Sequence, residues 1–246
     1  MISATQFGLY GAALLDYFNG DRTATITIHD GRGKIRDFPV SEVFRDPPSF
    51  FELERLAVEL CRGRVLDIGS GNGRHSLALQ ERGLEVVAID ILPECVEVTR
   101  ARGVREVYRA DVLAFDAPPF DTLLGIVNGL SMVERLEALR PYLRRVLRLV
   151  RPGGQYLIHS TDVRRLPALR ERVEMNLRDP ARGYFGEMDC WLEYKGRRGE
   201  AFTELYVDPE TLAAHARAAG WACDIVAERG EGFFLARLTP AARVGG

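Results

Sequence analysis

The sequence contains little lysine and little cysteine. Lysine occurs only at positions 34 and 195, so arginine carries almost all of the positive charge, and the formal net charge is -2. A dedicated nucleic-acid-binding protein usually carries a basic excess, and this charge balance argues against one. The four cysteines are Cys61, Cys95, Cys190 and Cys223. Because they form no CxxC pair and no Cys/His cluster, we expect neither a disulfide framework nor a metal site.

The sequence also lacks any long apolar run. No run approaches the roughly 20 residues that a membrane-spanning helix needs. The N-terminus shows no basic segment followed by an apolar stretch and a cleavage site, so no signal peptide is expected. We therefore expect a cytoplasmic protein with reduced thiols and no membrane partner. A length of 246 residues suits one α/β domain with additional elements.

From residue 49 onward, short apolar runs alternate with amphipathic stretches. Ser49 and Glu52 have the spacing of a helix capping box, which predicts a helix start there. The predicted strands are 65–68, 86–89, 104–109, 121–127 and 155–159, and the predicted helices between them are 74–82, 93–102 and 133–150. This alternation predicts a parallel sheet covered on both faces. A short loop joins 222–228 to 233–238, so these two strands would be antiparallel.

Two segments interrupt this alternation. The pattern of residues 1–48 predicts a helix and a hairpin ahead of the main domain. We assign the main domain to residues 49–246. Residues 163–207 predict an insertion with an arginine-rich helical piece over 164–182 and a second hairpin. Ligands of such sheets bind beyond the carboxyl ends of the strands, an edge that both segments can reach. The alternative for the second hairpin, 191–207, is a homodimer contact through edge pairing.

The predicted fold class is therefore α/β. We expect a doubly wound, mostly parallel, seven-stranded sheet with an antiparallel last strand. The N-terminal hairpin and the hairpin of the 163–207 insertion would together form a cap over the ligand edge.

A glycine-rich loop lies between the first predicted strand and its helix. At Gly69, Gly71 and Gly73 bare backbone can approach a ligand closely. Asp67 precedes the loop inside the strand, where a buried carboxylate needs a partner such as a ligand ammonium group. Asp90 ends the next strand about 20 residues later, the position of a ribose-hydroxyl acceptor in dinucleotide-type folds.

The run Val65–Gly73 resembles the first motif of class I S-adenosylmethionine-dependent methyltransferases. Four further stretches of the chain resemble the later motifs of that family and occur in the same order as those motifs. They are 88–90, 109–112, 120–124 and 149–154. The alternative is a Rossmann dehydrogenase. Its fingerprint requires Gly or Ala where this chain has Arg74, which favours the methyltransferase resemblance.

The resemblance implies S-adenosylmethionine as the cofactor and a role for each matching residue. Asp67 would receive the methionine amino group, Asp90 the ribose hydroxyls and Asp111 the adenine amino group. The complete set of implied cofactor contacts is Asp67, Gly69, Ser70, Gly71, Gly73, Asp90, Ile91, Asp111, Val112 and Asn128.

No residue stands out as the catalyst. A sulfonium is already a strong electrophile, so the enzyme must mainly align the acceptor with the methyl group and exclude water. The candidates are His75, Asn128 and His159. His75 could contact the cofactor or pack on the glycine loop, and Asn128 could contact a ligand or cap the backbone. His159 could act as a general base or serve a structural role.

The acceptor class is predicted from what the sequence does not contain. The Asn/Asp-Pro-Pro-Tyr/Phe motif for amino groups of bases is missing, and Asn128 and Gly129 stand in that region. No RNA-binding extension is visible. A small-molecule acceptor is therefore favoured over a protein or a nucleic acid. A silent cofactor-binding scaffold, or a different reaction on the same scaffold, is the remaining alternative.

Overall fold

The structure is a computed structural model that describes residues 3–30, 33–178 and 183–242. Residues 179–182, at the end of the predicted arginine-rich piece, lie outside the described residues. Seven α-helices form in the described part: α1 Ala4–Phe18, α2 Glu52–Leu60, α3 Arg74–Glu81, α4 Pro93–Ala101, α5 Leu136–Val146, α6 Arg170–Arg178 and α7 Pro209–Ala218.

Twelve strands form in the same described part. They are β1 Thr25–Asp30, β2 Gly33–Pro39, β3 Arg64–Ile68, β4 Glu85–Asp90, β5 Glu106–Arg109, β6 Phe120–Gly125, β7 Val150–Thr161, β8 Glu187–Tyr194, β9 Arg197–Arg198, β10 Phe202–Leu205, β11 Trp221–Arg229 and β12 Phe233–Pro240.

The main sheet has seven strands in the order β11-β12-β7-β6-β3-β4-β5. Strands β3 to β7 pair in parallel, whereas β12 is antiparallel to both β7 and β11. The central strands are apolar along their length because helices cover both faces, as Leu66 and Leu123, both fully buried, illustrate. The predicted doubly wound class with an antiparallel last strand is confirmed.

The two segments outside this domain form a second, antiparallel sheet in the order β10-β8-β1-β2, with β9 paired to β8. Strand β1 of the N-terminal segment pairs with β8 of the insertion, and Ile28 lies opposite Leu192. Ile26 and Phe202 of this sheet form a buried cluster with Leu14 of α1. We call this sheet together with α1 the cap.

Several contacts fasten the cap to the main domain. Glu187 of β8 accepts one hydrogen bond from Arg135 Nη1 and another from the N–H of Leu136, both at 2.8 Å. Helix α1 packs on α4 so closely that a Cβ added at Gly11 would lie 2.7 Å from Glu94 Oε2. Beyond β10, the backbone N–H of Val207 donates to Ser160 Oγ at 3.0 Å, and the Ser160 hydroxyl donates to Val207 O at 3.0 Å. Ser160 lies near the carboxyl end of β7, so the cap lies at the edge where ligands of such sheets bind.

The predicted capping box at Ser49 and Glu52 is wrong. Ser49 ends a short 3-10 turn, Pro47–Ser49, whose two prolines fix φ at values that suit such a turn. Helix α2 begins at Glu52, and the Glu54 carboxylate accepts the backbone N–H of Phe51 at 2.9 Å. Glu54 thereby supplies the hydrogen-bond acceptor for the N–H group at the start of this helix. The same residue also belongs to the site described below.

The predicted helix over 133–150 is also longer than the one that forms. Helix α5 spans Leu136–Val146, and the 3-10 turns Ser131–Val133 and Leu147–Leu149 flank it. Among the described residues, no helix has the length and apolar character needed to cross a membrane.

Candidate functional site

The glycine loop joins β3 to α3 and turns sharply at each glycine. The φ angles of Gly69, Gly71 and Gly73 are 70°, 58° and 75°, all in the left-handed region that favours glycine. A Cβ added at Gly71 would have the Tyr10 hydroxyl, 3.7 Å away, as its nearest neighbour. The loop backbone therefore faces a space that Tyr10 of the cap borders, and the first N–H groups of α3 begin beside it.

Asp90 ties the end of β4 to this loop. One of its carboxylate oxygens accepts the N–H of Gly71 at 2.9 Å, and the other accepts the N–H of Leu92 at 2.9 Å. Burial raises the pKa of Asp90 to about 6. Each carboxylate oxygen can accept two hydrogen bonds, so the Asp90 carboxylate retains capacity for a further donor such as a ribose hydroxyl.

Asp67 is buried at 3% exposure on β3. The Ser76 hydroxyl, in the first turn of α3, donates to Asp67 Oδ2 at 2.6 Å. Burial also raises the pKa of Asp67 above its usual value. Among the described residues, Ser76 is the side-chain hydrogen-bond partner of this carboxylate, and desolvation favours a further cationic or donor partner when the carboxylate is ionised.

The residues predicted to hold an adenine follow β4 and β5. Ile91 is half-buried, Val112 is buried at 3% exposure, and Asp111 is exposed, its Oδ1 accepting the N–H of Leu113 at 2.8 Å. The N–H of Ala110 donates to the backbone oxygen of Asp90 at 2.9 Å. This bond holds the ends of β4 and β5 together, so Ile91 and the residues that follow β5 lie at the same sheet edge as Asp90.

Two side chains at the same edge bury polar atoms for which the described residues offer no hydrogen-bond partner. They are Ser70, through its hydroxyl, and Asn128, through both Oδ1 and Nδ2. Native structures rarely leave such groups unsatisfied, so an ordered water or a bound ligand is the expected partner. Together with the bare Gly71 backbone, these atoms fit a polar, nucleoside-like cofactor such as S-adenosylmethionine. Over the described ranges, no cluster of three His, Cys, Asp or Glu side chains could hold a metal ion.

His75 lies inside a buried charged cluster. Its Nε2 is 3.0 Å from Glu54 Oε1 and 3.1 Å from Arg74 Nε, and its ring packs edge-on against Phe50. Burial lowers the pKa of His75 below its ordinary value. Through these contacts His75 packs behind the glycine loop. Packing on that loop is one of the two roles that the sequence left open for this residue.

Glu54 and Arg74 form the centre of that cluster. Arg74 Nη2 donates to Glu54 Oε1, and Arg45 Nη2 donates to Glu54 Oε2 at 3.0 Å. Burial alone would raise the pKa of Glu54, but the His75 contact and the Arg74 charge hold it at about 2. Arg74 also donates to the backbone oxygen of Glu42 at 3.3 Å. The residue that distinguishes the loop from a dehydrogenase fingerprint therefore anchors α3 to α2 and to the chain preceding it.

His159 and Asn128 come together at the carboxyl ends of β7 and β6. The backbone N–H of Asn128 donates to His159 Nδ1 at 2.9 Å, and the His159 ring stacks on Phe233 with centroids 6.0 Å apart. Burial lowers the pKa of His159 to about 4. With Nδ1 already accepting a backbone hydrogen bond, this imidazole is poorly arranged to act as a general base through that nitrogen.

Sequence reasoning missed Glu54 and Met132. A Cβ added at Gly69 would lie 3.2 Å from Met132 Cε, so Met132 borders the glycine loop. The position of Glu54 in the first turn of an amphipathic helix was visible in the sequence. Its partners Arg74 and His75 were not, because they lie 20 and 21 residues away along the chain.

The chain is similar to known methyltransferases in sequence. A family model described as a methyltransferase domain matches residues 65–154. An uncharacterized methyltransferase of Mycobacterium tuberculosis is 36% identical over 120 residues, which cover 47% of this chain and 47% of that protein. The chain thus spans about half the length of that relative. A ubiquinone biosynthesis O-methyltransferase of Xylella fastidiosa is 34% identical over 171 residues, covering 62% of this chain and 68% of that protein.

The similarity extends to a solved structure along nearly the whole chain. A SAM-dependent methyltransferase from Bacteroides fragilis, solved in complex with S-adenosyl-L-homocysteine, is 33% identical, with a TM-score of 0.83. The alignment covers 98% of this chain and 98% of that chain, so it includes the cap as well as the main sheet. This chain belongs to the family of S-adenosylmethionine-dependent methyltransferases.

Proposed function

We propose that this protein transfers the methyl group of S-adenosylmethionine to a small-molecule acceptor enclosed between the main sheet and the cap. The observation that carries the proposal is the set of unsatisfied buried atoms on Ser70 and Asn128, at the edge where the glycine loop and Asp90 also lie. Buried polar atoms are normally paired, so a bound ligand is a fitting partner for these groups, and the glycine loop that carries Ser70 is hydrogen-bonded to Asp90.

The cofactor residues of the proposal are those that the family resemblance implies. Asp90 would accept the ribose hydroxyls, Asp67 would pair with the amino group, and Ile91 and Val112 would border the adenine. Asp111 is exposed at the end of β5, where its second oxygen is available to the adenine amino group. When bound, the cofactor supplies an electrophilic methyl group on a sulfonium.

The chain's own task is then to position the acceptor and exclude water. Helix α1 packs on α4 and brings the Tyr10 hydroxyl close to the glycine loop, so the cap covers the site. A covered site favours a small acceptor over a folded protein or a duplex. The name of the Xylella fastidiosa relative, a ubiquinone biosynthesis O-methyltransferase, supports the same class of acceptor.

Incubation with S-adenosylmethionine labelled in its methyl group tests this proposal. The purified protein is mixed separately with a metabolite extract, with total protein and with nucleic acid. We expect label in the metabolite fraction, and we expect Asp90→Asn to reduce that label strongly. Glu52→Gln, a change of an exposed residue on α2, serves as the matched control and should transfer label like the wild type.

Other outcomes decide against the proposal. Label in protein or nucleic acid alone would identify a macromolecular acceptor. Cofactor binding without label in any fraction would favour a silent scaffold.

A further inference from the structure

The segment that follows β6 has an unusual backbone. Val127 and Asn128 have φ angles of 59° and 58°, in the left-handed region that β-branched residues such as valine strongly disfavour. The chain then folds back so tightly that a Cβ added at Gly129 would lie 2.1 Å from Gly125 O. Such a conformation persists only when the surrounding structure holds it.

His159 provides that support through two hydrogen bonds. Its Nδ1 accepts the N–H of Asn128 at 2.9 Å, and its backbone oxygen accepts the N–H of Gly129 at 3.2 Å. The regular pairing of β6 with β7 ends one residue earlier, at Gly125 and Ile158. His159 therefore attaches this segment to β7 one residue beyond the last pair of the two strands. For the N–H of Asn128, the acceptor is the His159 side chain in place of a backbone oxygen.

The hydrogen bond requires one particular state of the imidazole. Nδ1 can accept the Asn128 N–H only while it carries no proton, so the neutral ring must hold its proton on Nε2. Burial against Phe233 stabilises the neutral ring. Glu54 is the charged group that acts on the ring, and its charge favours protonation only weakly against that burial.

The segment that His159 holds lies at the sheet edge where the cofactor is proposed to bind. The side-chain amide of Asn128 is buried and has no partner among the described residues. Four residues later, Met132 approaches the glycine loop at Gly69. A shift of the backbone at Asn128 would therefore displace both an unsatisfied amide and a residue that borders the loop.

We infer that His159 is a positioning residue: its unprotonated Nδ1 fixes the left-handed backbone at Asn128 and so directs the Asn128 amide toward the bound cofactor and acceptor. The inference rests on the proposed function for the identity of those ligands. The alternative role of His159 as a general base would need Nδ1 free, or Nε2 without its proton, and the Asn128 bond opposes both.

Three substitutions at this position separate the roles. His159→Asn places an amide oxygen at the distance of Nδ1 from the backbone and cannot act as a base. His159→Gln places its oxygen nearer the position of Nε2, and His159→Leu offers no acceptor. The probe is S-adenosylhomocysteine, measured by titration calorimetry. His159→Asn should bind within about twofold of wild type, and the other two should bind on the order of tenfold more weakly, because a buried N–H loses its acceptor.

A buried residue near the opposite end of the sheet provides the matched control for general destabilisation. Thr122→Val removes the hydrogen bonds that the Thr122 hydroxyl makes with the backbone of Arg62, near the amino end of β6 and away from the glycine loop and the cap. It should lower the melting temperature and leave the affinity for S-adenosylhomocysteine unchanged. The inference is overturned if His159→Asn and His159→Gln bind alike, or if Thr122→Val weakens binding as much as His159→Leu.

A ligand-free measurement keeps this inference separate from the proposed function. Nitrogen NMR of the wild-type imidazole should show Nδ1 unprotonated and Nε2 protonated at neutral pH. The Asn128 amide proton should exchange slowly in wild type and His159→Asn, and faster in His159→Gln. If wild type failed to bind S-adenosylhomocysteine, the proposed function would fall, while these spectra would still decide the positioning role. A ring protonated on Nδ1 would contradict it.

Discussion

At the scale of single residues, Asp90 is the side chain through which pH should act on cofactor binding. Burial raises its pKa to about 6, and the pKa of Asp67 is raised in the same direction. A raised carboxyl pKa means that the native protein takes up a proton as pH falls toward that value. The protonated form loses acceptor capacity for ribose hydroxyls and, at Asp67, the charge that would pair with an ammonium group.

We therefore expect the affinity for S-adenosylhomocysteine to rise with pH. For a group with a pKa of about 6, the ionised fraction predicts roughly a tenfold gain between about pH 5 and about pH 7. Calorimetric titrations at several pH values measure it. Asp90→Asn should bind more weakly at neutral pH and respond less to pH. An affinity that is flat in wild type, or that falls as pH rises, would remove Asp90 from the site.

The charge of Glu54 should contribute to the free energy of unfolding of the same region. Its pKa is held at about 2, below its usual value, so its contribution to folding is present above about pH 4.5 and lost as pH falls toward 2. Glu54→Gln should lower the free energy of unfolding by about 3–5 kcal/mol at neutral pH, because Arg74 would remain buried without its counter-charge.

Urea denaturation at neutral and acid pH measures this effect. Glu52→Gln on the same helix is the control, since its pair with Arg229 is exposed and should matter little. Equal stabilities of Glu54→Gln and Glu52→Gln would contradict the role assigned to the buried cluster.

At the scale of elements, the sequence was most informative where structure is local. The apolar runs at β3, β4 and β6 and the glycines that follow β3 predicted strands, a loop and a ligand edge, because those patterns depend on neighbouring residues. The arrangement at Ser49 was misread because two prolines made a turn where the spacing alone suggested a helix cap. The Asn128–His159 bond joins residues 31 apart, and no local pattern could reveal it.

The cap also shows what the sequence could and could not provide. The sequence pattern predicted both hairpins, and the direction of the main sheet placed both within reach of its ligand edge. The register of β1 against β8, with Ile28 opposite Leu192, depends on packing between segments far apart in the chain. The attachment of Val207 to Ser160 depends on a side chain bonding to a distant backbone, which leaves no sequence signature.

Leu192→Ala should loosen the cap selectively. Leu192 is 4% exposed in the cap cluster, so truncation should cost about 2–5 kcal/mol of local stability. Hydrogen exchange should speed up in β1, β2 and β8 and remain near wild type in β3 and β4. Methyl transfer should fall with it if the cap encloses the acceptor. Faster exchange spread evenly over both sheets would show instead that cap and main sheet unfold together.

At the scale of the whole molecule, the main sheet and the cap both contribute residues to the proposed site. The main sheet contributes the glycine loop, Asp67, Asp90 and the segment held by His159. The cap contributes Tyr10 and a covering layer fastened at α4, at the start of α5 and at β7. The homodimer alternative stays a prediction for the outer edge of β10, since β8 is already paired on both sides; light scattering of the purified protein tests it.

The central claim is that the edge bordered by the glycine loop binds S-adenosylmethionine. Titration calorimetry of the wild-type protein with S-adenosylhomocysteine, with Asp90→Asn in parallel, tests it most directly. The account predicts one site per chain, saturated at sub-millimolar ligand, and binding by Asp90→Asn weaker by about 1–3 kcal/mol through lost ribose hydrogen bonds. No binding by the wild-type protein at millimolar ligand, or equal affinity of the two proteins, would contradict it.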